Sequence, residues 1–147
     1  MTKIAINGFG RIGRAFLRLA SARPELEIIA INDLADLENL AYLLKYDSVY
    51  RRFGKEIKVE KGKKSYLVVG GKKILLLQEK DPAKLPWKDL DIDVVVESTG
   101  VFESYEKASA HLTAGAKRVV ITAPAKGGGG EGRTILMGVN EDEFKTC

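Results

Sequence analysis

The sequence predicts an α/β fold in which a mainly parallel, doubly wound sheet carries a small antiparallel hairpin insertion. Three observations lead to this prediction. The first 32 residues run as apolar strand, glycine-rich turn, amphipathic helix and second apolar strand. Short β-branched runs recur at residues 93–97 and 118–122, each followed by small or polar residues. Between these regions, a glycine pair at residues 70–71 separates two alternating runs, a pattern typical of a β-hairpin.

The N-terminal unit is predicted to be a strand, a tight turn and a helix. Residues 3–7 are β-branched and alternate in polarity, whereas residues 11–22 place apolar side chains at helical spacing. Gly8 and Gly10 lie in the turn between them, where a residue without Cβ lets the backbone turn sharply and come close to a ligand. Gly13 falls one turn into the helix and should allow close packing against the strand.

The remaining elements are expected to continue the alternation. We expect a buried parallel strand over Leu26–Asn32, a short helix over 37–44 and a loop over 45–55. Strands at 56–60, 65–69 and 73–78 should form the antiparallel piece. The parallel pattern then resumes with a strand at 93–97, a helix at about 103–113 that Gly115 ends, and a strand at 118–122. A flexible glycine run at 127–130 precedes a possible strand at 135–139 and a helical turn at 141–144.

Length and composition favour one globular domain, residues 1–147. The chain has 147 residues, of which 45% are hydrophobic. This length is enough for one hydrophobic core but small for two. No stretch approaches the roughly 18 consecutive apolar residues of a membrane span, and the N-terminus lacks a signal-peptide pattern. The single cysteine, Cys147, cannot form an internal disulfide, which fits a reducing compartment. We therefore expect a soluble, cytoplasmic protein without membrane contact.

Basic residues are concentrated in one segment. Residues 51–73 hold nine Lys or Arg against only Glu56 and Glu60. Such a segment can attract nucleic acid or another anionic partner. Exposed hairpin strands, however, commonly carry Lys on their solvent faces to discourage edge pairing. We favour a solvated face and keep a non-enzymatic module for an anionic partner or nucleic acid as the alternative.

A dinucleotide site is predicted by the glycines together with one acid. Gly8, Gly10 and Gly13 form a Gly-x-Gly-x-x-Gly pattern at the start of a helix, whose free N–H groups and positive dipole end suit a phosphate. Asp33 ends the second strand, twenty positions beyond Gly13, where its carboxylate would accept hydrogen bonds from the adenosine ribose. Because a carboxylate repels a 2′-phosphate, this Rossmann pattern favours NAD over NADP.

The carboxyl ends of the other parallel strands agree with this site. In a doubly wound sheet, ligands bind beyond these ends, at the switch in strand order. The segments expected there are residues 8–12, 32–33, 98–100 and 122–123, and all are rich in small or polar residues.

Seven segments along the chain closely resemble glyceraldehyde-3-phosphate dehydrogenase. They are NGFGRIGR at 7–14, AINDL at 30–34, LLKYDSV at 43–49, QEKDPAKLPW at 78–87, VVESTGVF at 95–102, VVITAPAK at 119–126 and MGVNEDEF at 137–144. They occur in order over nearly the whole chain and correspond to the N-terminal, NAD-binding half of that enzyme.

The resemblance implies roles for individual residues. The backbone at Arg11 and Ile12 would meet the pyrophosphate, Lys80 would stand beside the adenine where the family usually has arginine, and Thr122 would lie near the nicotinamide where serine is common. The full set expected to bind NAD is Gly8, Gly10, Arg11, Ile12, Gly13, Asn32, Asp33, Lys80, Ser98, Thr99, Gly100, Phe102 and Thr122.

The family's catalytic residues are not identified in this chain. The family uses a cysteine thiolate and a histidine base, with the cysteine in an SNASCTTN-like segment. Cys147 ends the segment EDEFKTC and does not match, and His111, in a predicted helix with Ala108 and Leu112 toward the core, is expected to be a surface or packing residue. No pattern indicates a metal site. We expect the catalytic domain to be absent, the chain alone to bind NAD without catalysis, and uncovered surface to associate with a catalytic domain or a second copy.

Overall fold

A seven-stranded sheet forms the centre of the fold in the computed structural model, which describes residues 1–127 and 132–147. The strands, in chain order, are β1 (Thr2–Asn7), β2 (Leu26–Asn32), β3 (Tyr46–Asp47), β4 (Arg51–Arg52), β5 (Ile57–Glu60), β6 (Ser65–Val69), β7 (Lys72–Leu77), β8 (Val94–Glu97) and β9 (Arg118–Ile121). The helices are α1 (Arg11–Ala20), α2 (Leu37–Lys45), α3 (Tyr105–Ala108) and α4 (Ala110–Thr113), with 3₁₀ segments at Pro82–Lys84 and Glu141–Thr146.

The strand order confirms the predicted fold class. It runs β5-β6-β7-β2-β1-β8-β9, with β7, β2, β1, β8 and β9 parallel and β5, β6 and β7 joined as an antiparallel meander. The chain builds outward from β1 in one direction through β2 and then in the other through β8. The switch in strand order, where ligands bind in such sheets, therefore lies between β1 and β8.

Both faces of the sheet are buried, because successive side chains of a strand point to opposite sides. Ile6 and Ile31 pack with Leu17 of α1 and Leu44 of α2 in one core cluster. Their neighbours Ala5 and Ala30 belong to the cluster on the other face, which also contains Trp87, Ile92 and Val95. Trp87 follows the 3₁₀ segment and is fully buried, so it anchors its loop.

Most predicted element bounds agree with the structure to within two residues. The hairpin turn between β6 and β7 has φ of +55° at Gly70 and +84° at Gly71, as a two-residue turn with two left-handed positions requires. Gly115, with φ of +103°, follows the helical region that it was expected to end.

Three expectations about local structure are wrong. The loop expected over 45–55 contains the short antiparallel pair β3 and β4. The helix expected over 103–113 is divided at Ser109, whose hydroxyl donates to the carbonyl oxygen of Glu106. The strand expected at 135–139 is replaced by an irregular segment that ends in a turn at residues 137–139, because the Asn140 side chain accepts from the N–H of Leu136 and donates to the carbonyl oxygen of Thr134.

The basic segment lies on exposed strand faces and is partly paired. Lys58 contacts Glu56, Lys61 contacts Glu38, and Lys73 contacts Glu60. In the described ranges, no helix is both long and apolar enough to span a membrane. The glycine run expected to be flexible spans 127–130, and residues 128–130 of it lie outside the described residues.

Candidate functional site

The turn after β1 requires glycine at two of its three predicted positions. Gly8 has φ of +89°, and a Cβ there would lie 2.6 Å from the backbone nitrogen of Thr99. A Cβ on Gly13 would overlap the carbonyl oxygen of Gly8. The N–H of Gly8 donates to the carbonyl oxygen of Asn32 at 2.8 Å. The turn is thus pressed against the carboxyl ends of both strands that neighbour β1.

Gly10, in contrast, is exposed, and a Cβ there would meet no atom of the described residues within 4 Å. It precedes α1, whose N-terminus has no side-chain cap and no acidic residue in its first turn. The first N–H groups of a helix have no partner within the helix. Open space, free N–H groups and the positive dipole end together fit an anionic phosphate. Arg11 and Ile12, both exposed, supply the first two helical positions.

Asp33 connects the end of β2 to the same turn. Its Oδ2 accepts from the N–H of Phe9 at 2.7 Å, and its Oδ1 accepts from the N–H of Ala35 at 2.9 Å. The side chain is half-buried. A carboxylate has about four acceptor positions, so capacity remains for hydroxyl groups of a ligand.

The segment after β8 closes against the turn from the other side. The Ser98 hydroxyl donates to the carbonyl oxygen of Gly8 at 2.6 Å. Thr99 donates from its backbone N–H at 2.8 Å and from its hydroxyl at 2.5 Å to Oε1 of Glu97. Gly100 is exposed with φ of +72°.

The other predicted site residues lie along the same edge of the sheet. Thr122 follows β9, and its hydroxyl donates to the carbonyl oxygen of Glu97 at 3.0 Å. Phe102 is half-buried and makes a T-shaped ring contact with His111, and Lys80 is exposed in the loop after β7. The Asn32 side chain is buried and bonds to Asn7 and to the backbone of Glu79, so it faces the protein interior.

A buried polar cluster below this edge was not predicted. Glu97 is 2% exposed and His111 is fully buried, with 2.8 Å between Oε2 and Nε2. Leu112, expected toward the core, is 48% exposed instead. The available signal was the acid that ends the apolar run at residues 93–97, because a charged residue closing a buried strand needs partners.

The environment of Glu97 acts on its pKa in two directions. Burial alone would raise the pKa, since it disfavours the charged form. The hydrogen bonds from His111, Thr99 and Asn7 outweigh burial, and the pKa of Glu97 lies below its usual value. The carboxylate is therefore ionised at neutral pH.

A glycine turn at the switch in strand order, an open helix N-terminus and a carboxylate at the next strand end define a dinucleotide-binding α/β domain. Residues 2–105 match the family model described as glyceraldehyde 3-phosphate dehydrogenase, NAD binding domain. The chain belongs to the glyceraldehyde 3-phosphate dehydrogenase family, and NAD, the cofactor predicted from the glycines and Asp33, is the cofactor of the matched domain.

Curated relatives agree with this family. The glyceraldehyde-3-phosphate dehydrogenase of Thermotoga maritima is 56% identical over 99% of this chain and 42% of its own length. Glyceraldehyde-3-phosphate dehydrogenase 2 of Bacillus subtilis is 51% identical over 97% and 40%. The cytosolic enzyme of Leishmania mexicana is 50% identical over 99% and 42%. The chain thus spans about two fifths of the length of these relatives.

Alanine substitution should destabilise the chain at Gly8 and leave its stability almost unchanged at Gly10. Gly8→Ala should lower the free energy of unfolding by at least about 1–3 kcal/mol, because it forces a side chain into a left-handed backbone position and against Thr99. Gly10→Ala should stay within about 0.5 kcal/mol of the unmodified chain, as for other exposed positions. Urea unfolding followed by circular dichroism measures both values, and equal losses would contradict the assignment of the two glycines.

The ionised Glu97 predicts an acid-dependent contribution to stability. Because the pKa of Glu97 is lower in the folded chain than in the unfolded chain, its contribution is present above the unfolded value of about 4.3 and is lost as pH falls through the folded value. The stability difference between the unmodified chain and Glu97→Gln should therefore be constant from about pH 6 to 8 and shrink below about pH 4. Thermal unfolding across this range measures it, and a difference that grows toward acid pH would exclude a lowered pKa.

Proposed function

We propose that this 147-residue chain binds NAD along the carboxyl edge of its sheet. The observation that carries the proposal is the uncapped N-terminus of α1 beside the open position at Gly10, with the Asp33 carboxylate tied to the same turn. The open space at Gly10 leaves room for an anion beside the helix N–H groups. The family match supports NAD as the ligand.

The pyrophosphate of NAD would be held by the N–H groups at Arg11 and Ile12 over Gly10. Gly8 and Gly13 allow this approach because the backbone of β1, α1 and the segment after β8 is so close at these positions. Asp33 would accept hydrogen bonds from the adenosine ribose. Its two contacts to backbone N–H groups fix the orientation of the carboxylate before the ligand arrives.

Some of the remaining predicted residues would contact NAD, and the others hold the surrounding protein in place. Thr99, Gly100, Phe102 and Thr122 would line the path toward the nicotinamide, and Lys80 would stand beside the adenine. Ser98 and Asn32 act by support, since their side chains hydrogen-bond within the protein.

We also propose that the 147 residues form one dinucleotide-binding domain that does not catalyse the family reaction by itself. NAD would supply the hydride acceptor for that reaction, but His111 is fully buried and so cannot contact a substrate. Cys147 is exposed and donates to the carbonyl oxygen of Phe144 at 3.3 Å. Activity would need a catalytic domain supplied by another segment or chain. A rise in NADH absorbance on adding aldehyde substrate, phosphate and NAD to this chain would contradict the proposal.

The competing function is a binding module for nucleic acid or another anionic partner on residues 51–73. Arg51, Arg52, Lys63, Lys64 and Lys72 are exposed there. Salt-dependent binding of DNA or RNA that is unaffected by NAD would favour this function. A cytoplasmic location and self-association through uncovered apolar surface stay predictions.

Substitution of Asp33 should weaken NAD binding and should reduce the ratio by which the chain prefers NAD to NADP. Asp33→Asn removes the charge that receives the ribose hydroxyls, so its dissociation constant for NAD should rise about tenfold or more, the effect of losing one hydrogen bond to a charged group. The loss for NADP should be smaller, because the carboxylate no longer repels the 2′-phosphate. Titration calorimetry at fixed salt measures both constants.

Asp89→Asn is the matched control, since Asp89 is exposed in the loop before β8 and its substitution makes the same charge change. It should leave both constants unchanged. The absence of heat with millimolar NAD, or equal effects of the two substitutions, would contradict binding at Asp33.

A further inference from the structure

Four donors converge on the buried carboxylate of Glu97 at the end of β8. Its Oε1 accepts from the N–H and the hydroxyl of Thr99 at 2.8 and 2.5 Å. Its Oε2 accepts from Asn7 Nδ2 at 2.6 Å and lies 2.8 Å from His111 Nε2. A protonated carboxyl group would carry an O–H donor among these donors, so the arrangement suits only the charged form.

Trp87 fixes which nitrogen of His111 carries the proton. The indole N–H can only donate, and it lies 3.0 Å from Nδ1 of His111. Nδ1 must therefore accept and carries no proton, so the ring proton is on Nε2 and points at Glu97. The imidazole is uncharged. All four donors to the buried Glu97 charge are thus neutral groups.

A second series of hydrogen bonds reaches the same oxygen of Glu97 through Asn7, whose Nδ2 lies 3.3 Å from Nε2 of His111. Since Asn7 Nδ2 donates to Glu97, its Oδ1 is free to accept from Asn32 Nδ2 at 2.8 Å. The Asn32 amide is held in turn by the backbone of Glu79, with Oδ1 accepting at 2.8 Å and Nδ2 donating at 2.9 Å. The side chains of the whole series are 5% exposed or less.

The two series form one connected network below the carboxyl ends of β8, β1 and β2. Along both series the donors point toward Glu97, from Trp87 through His111 and from Asn32 through Asn7. Thr99, which is the third group held by Glu97, is the residue against which Gly8 packs. The position of the glycine turn therefore depends on how Glu97 holds its donors.

We propose that Glu97 is a positioning residue of the NAD site, whose buried charge sets the direction of this network and so holds Thr99 and the glycine turn in place. The inference rests on the proposed function, because the site that it positions is the proposed NAD site. Glu97 itself lies beneath the turn and is not expected to touch the cofactor.

An amide of the same shape cannot replace the carboxylate. If the oxygen of the Glu97→Gln side chain faces Thr99, its NH₂ group faces two donors, Asn7 Nδ2 and His111 Nε2. His111 cannot resolve the conflict by moving its proton to Nδ1, because the Trp87 N–H occupies that side. If the amide oxygen instead faces Asn7 and His111, Thr99 loses the acceptor of both its donors. A buried donor left without an acceptor is costly in either case.

The test compares Glu97→Gln with Glu25→Gln by titration calorimetry of the chain with NAD. Glu25 is exposed, pairs with Arg23 at 3.8 Å and precedes β2 at the opposite edge of the sheet, so it controls for the change in net charge. At a temperature where both variants are folded, Glu97→Gln should bind NAD at least about tenfold more weakly. Glu25→Gln should bind like the unmodified chain.

Nitrogen NMR provides a readout that is independent of NAD. His111 is the only histidine, so its ring nitrogens can be assigned without ambiguity. The unmodified chain should show a protonated Nε2 and an unprotonated Nδ1 at neutral pH. A proton on Nδ1, or a doubly protonated ring, would overturn the proposed polarity of the network.

The outcomes distinguish this inference from the proposed function. If the unmodified chain does not bind NAD, the proposed function fails, whereas the NMR result still decides the network's polarity. If the unmodified chain binds and folded Glu97→Gln binds equally tightly, the positioning role is wrong.

Should Glu97→Gln not fold, His111 offers a second pair of variants away from the cofactor. His111→Gln keeps a donor and an acceptor, whereas His111→Met has a similar volume but no donor and only a weak acceptor. His111→Met should bind NAD several-fold more weakly than His111→Gln, as expected for one lost hydrogen bond to a charged group. Equal affinities would overturn the positioning role.

Discussion

The contact between the Gly8 turn and the carboxyl end of β8 is the constraint on which the rest of the site depends. Gly8 adopts a left-handed conformation directly against Thr99, and both its N–H and its carbonyl oxygen are bound by neighbouring strand ends. This fixes where the chain leaves β1 and therefore where α1 begins. The open N-terminus of α1, the free space at Gly10 and the approach of Asp33 to Phe9 all follow from that exit.

A buried polar network maintains this contact, although apolar packing holds most of the core. Burying an ionised carboxylate is costly unless donors surround it. Here, every side chain of the network has a hydrogen-bond partner, so the cost of burying the charge is offset locally. Only one assignment of donors and acceptors gives every group in the network a partner. Backbone hydrogen bonds and apolar packing account for the sheet and its helices. The network adds a unique arrangement of three strand ends, which a ligand site requires and a core does not.

Local patterns were sufficient for the fold class and for the turn. The glycine spacing, the apolar strands and the acid after β2 each depend on a few adjacent residues, and the structure places Gly8, Gly13 and Asp33 together. The Glu97 and His111 pair was missed because its members belong to different elements and a lone histidine carries no signal of burial. Residues 135–139 alternate like a strand, but local bonds from Asn140 close their end into a turn.

The most direct test of the account is an amide NMR titration of the isotope-labelled chain with NAD. We expect saturable shifts of the N–H signals of Gly10, Arg11 and Ile12, where the helix N-terminus would meet the pyrophosphate. Shifts should follow at Thr99 and at the side-chain indole of Trp87, which the buried network connects to the site. Signals from β5 and β6 should not move. Shifts confined to residues 51–73, or none at millimolar NAD, would contradict binding at the carboxyl edge of the sheet.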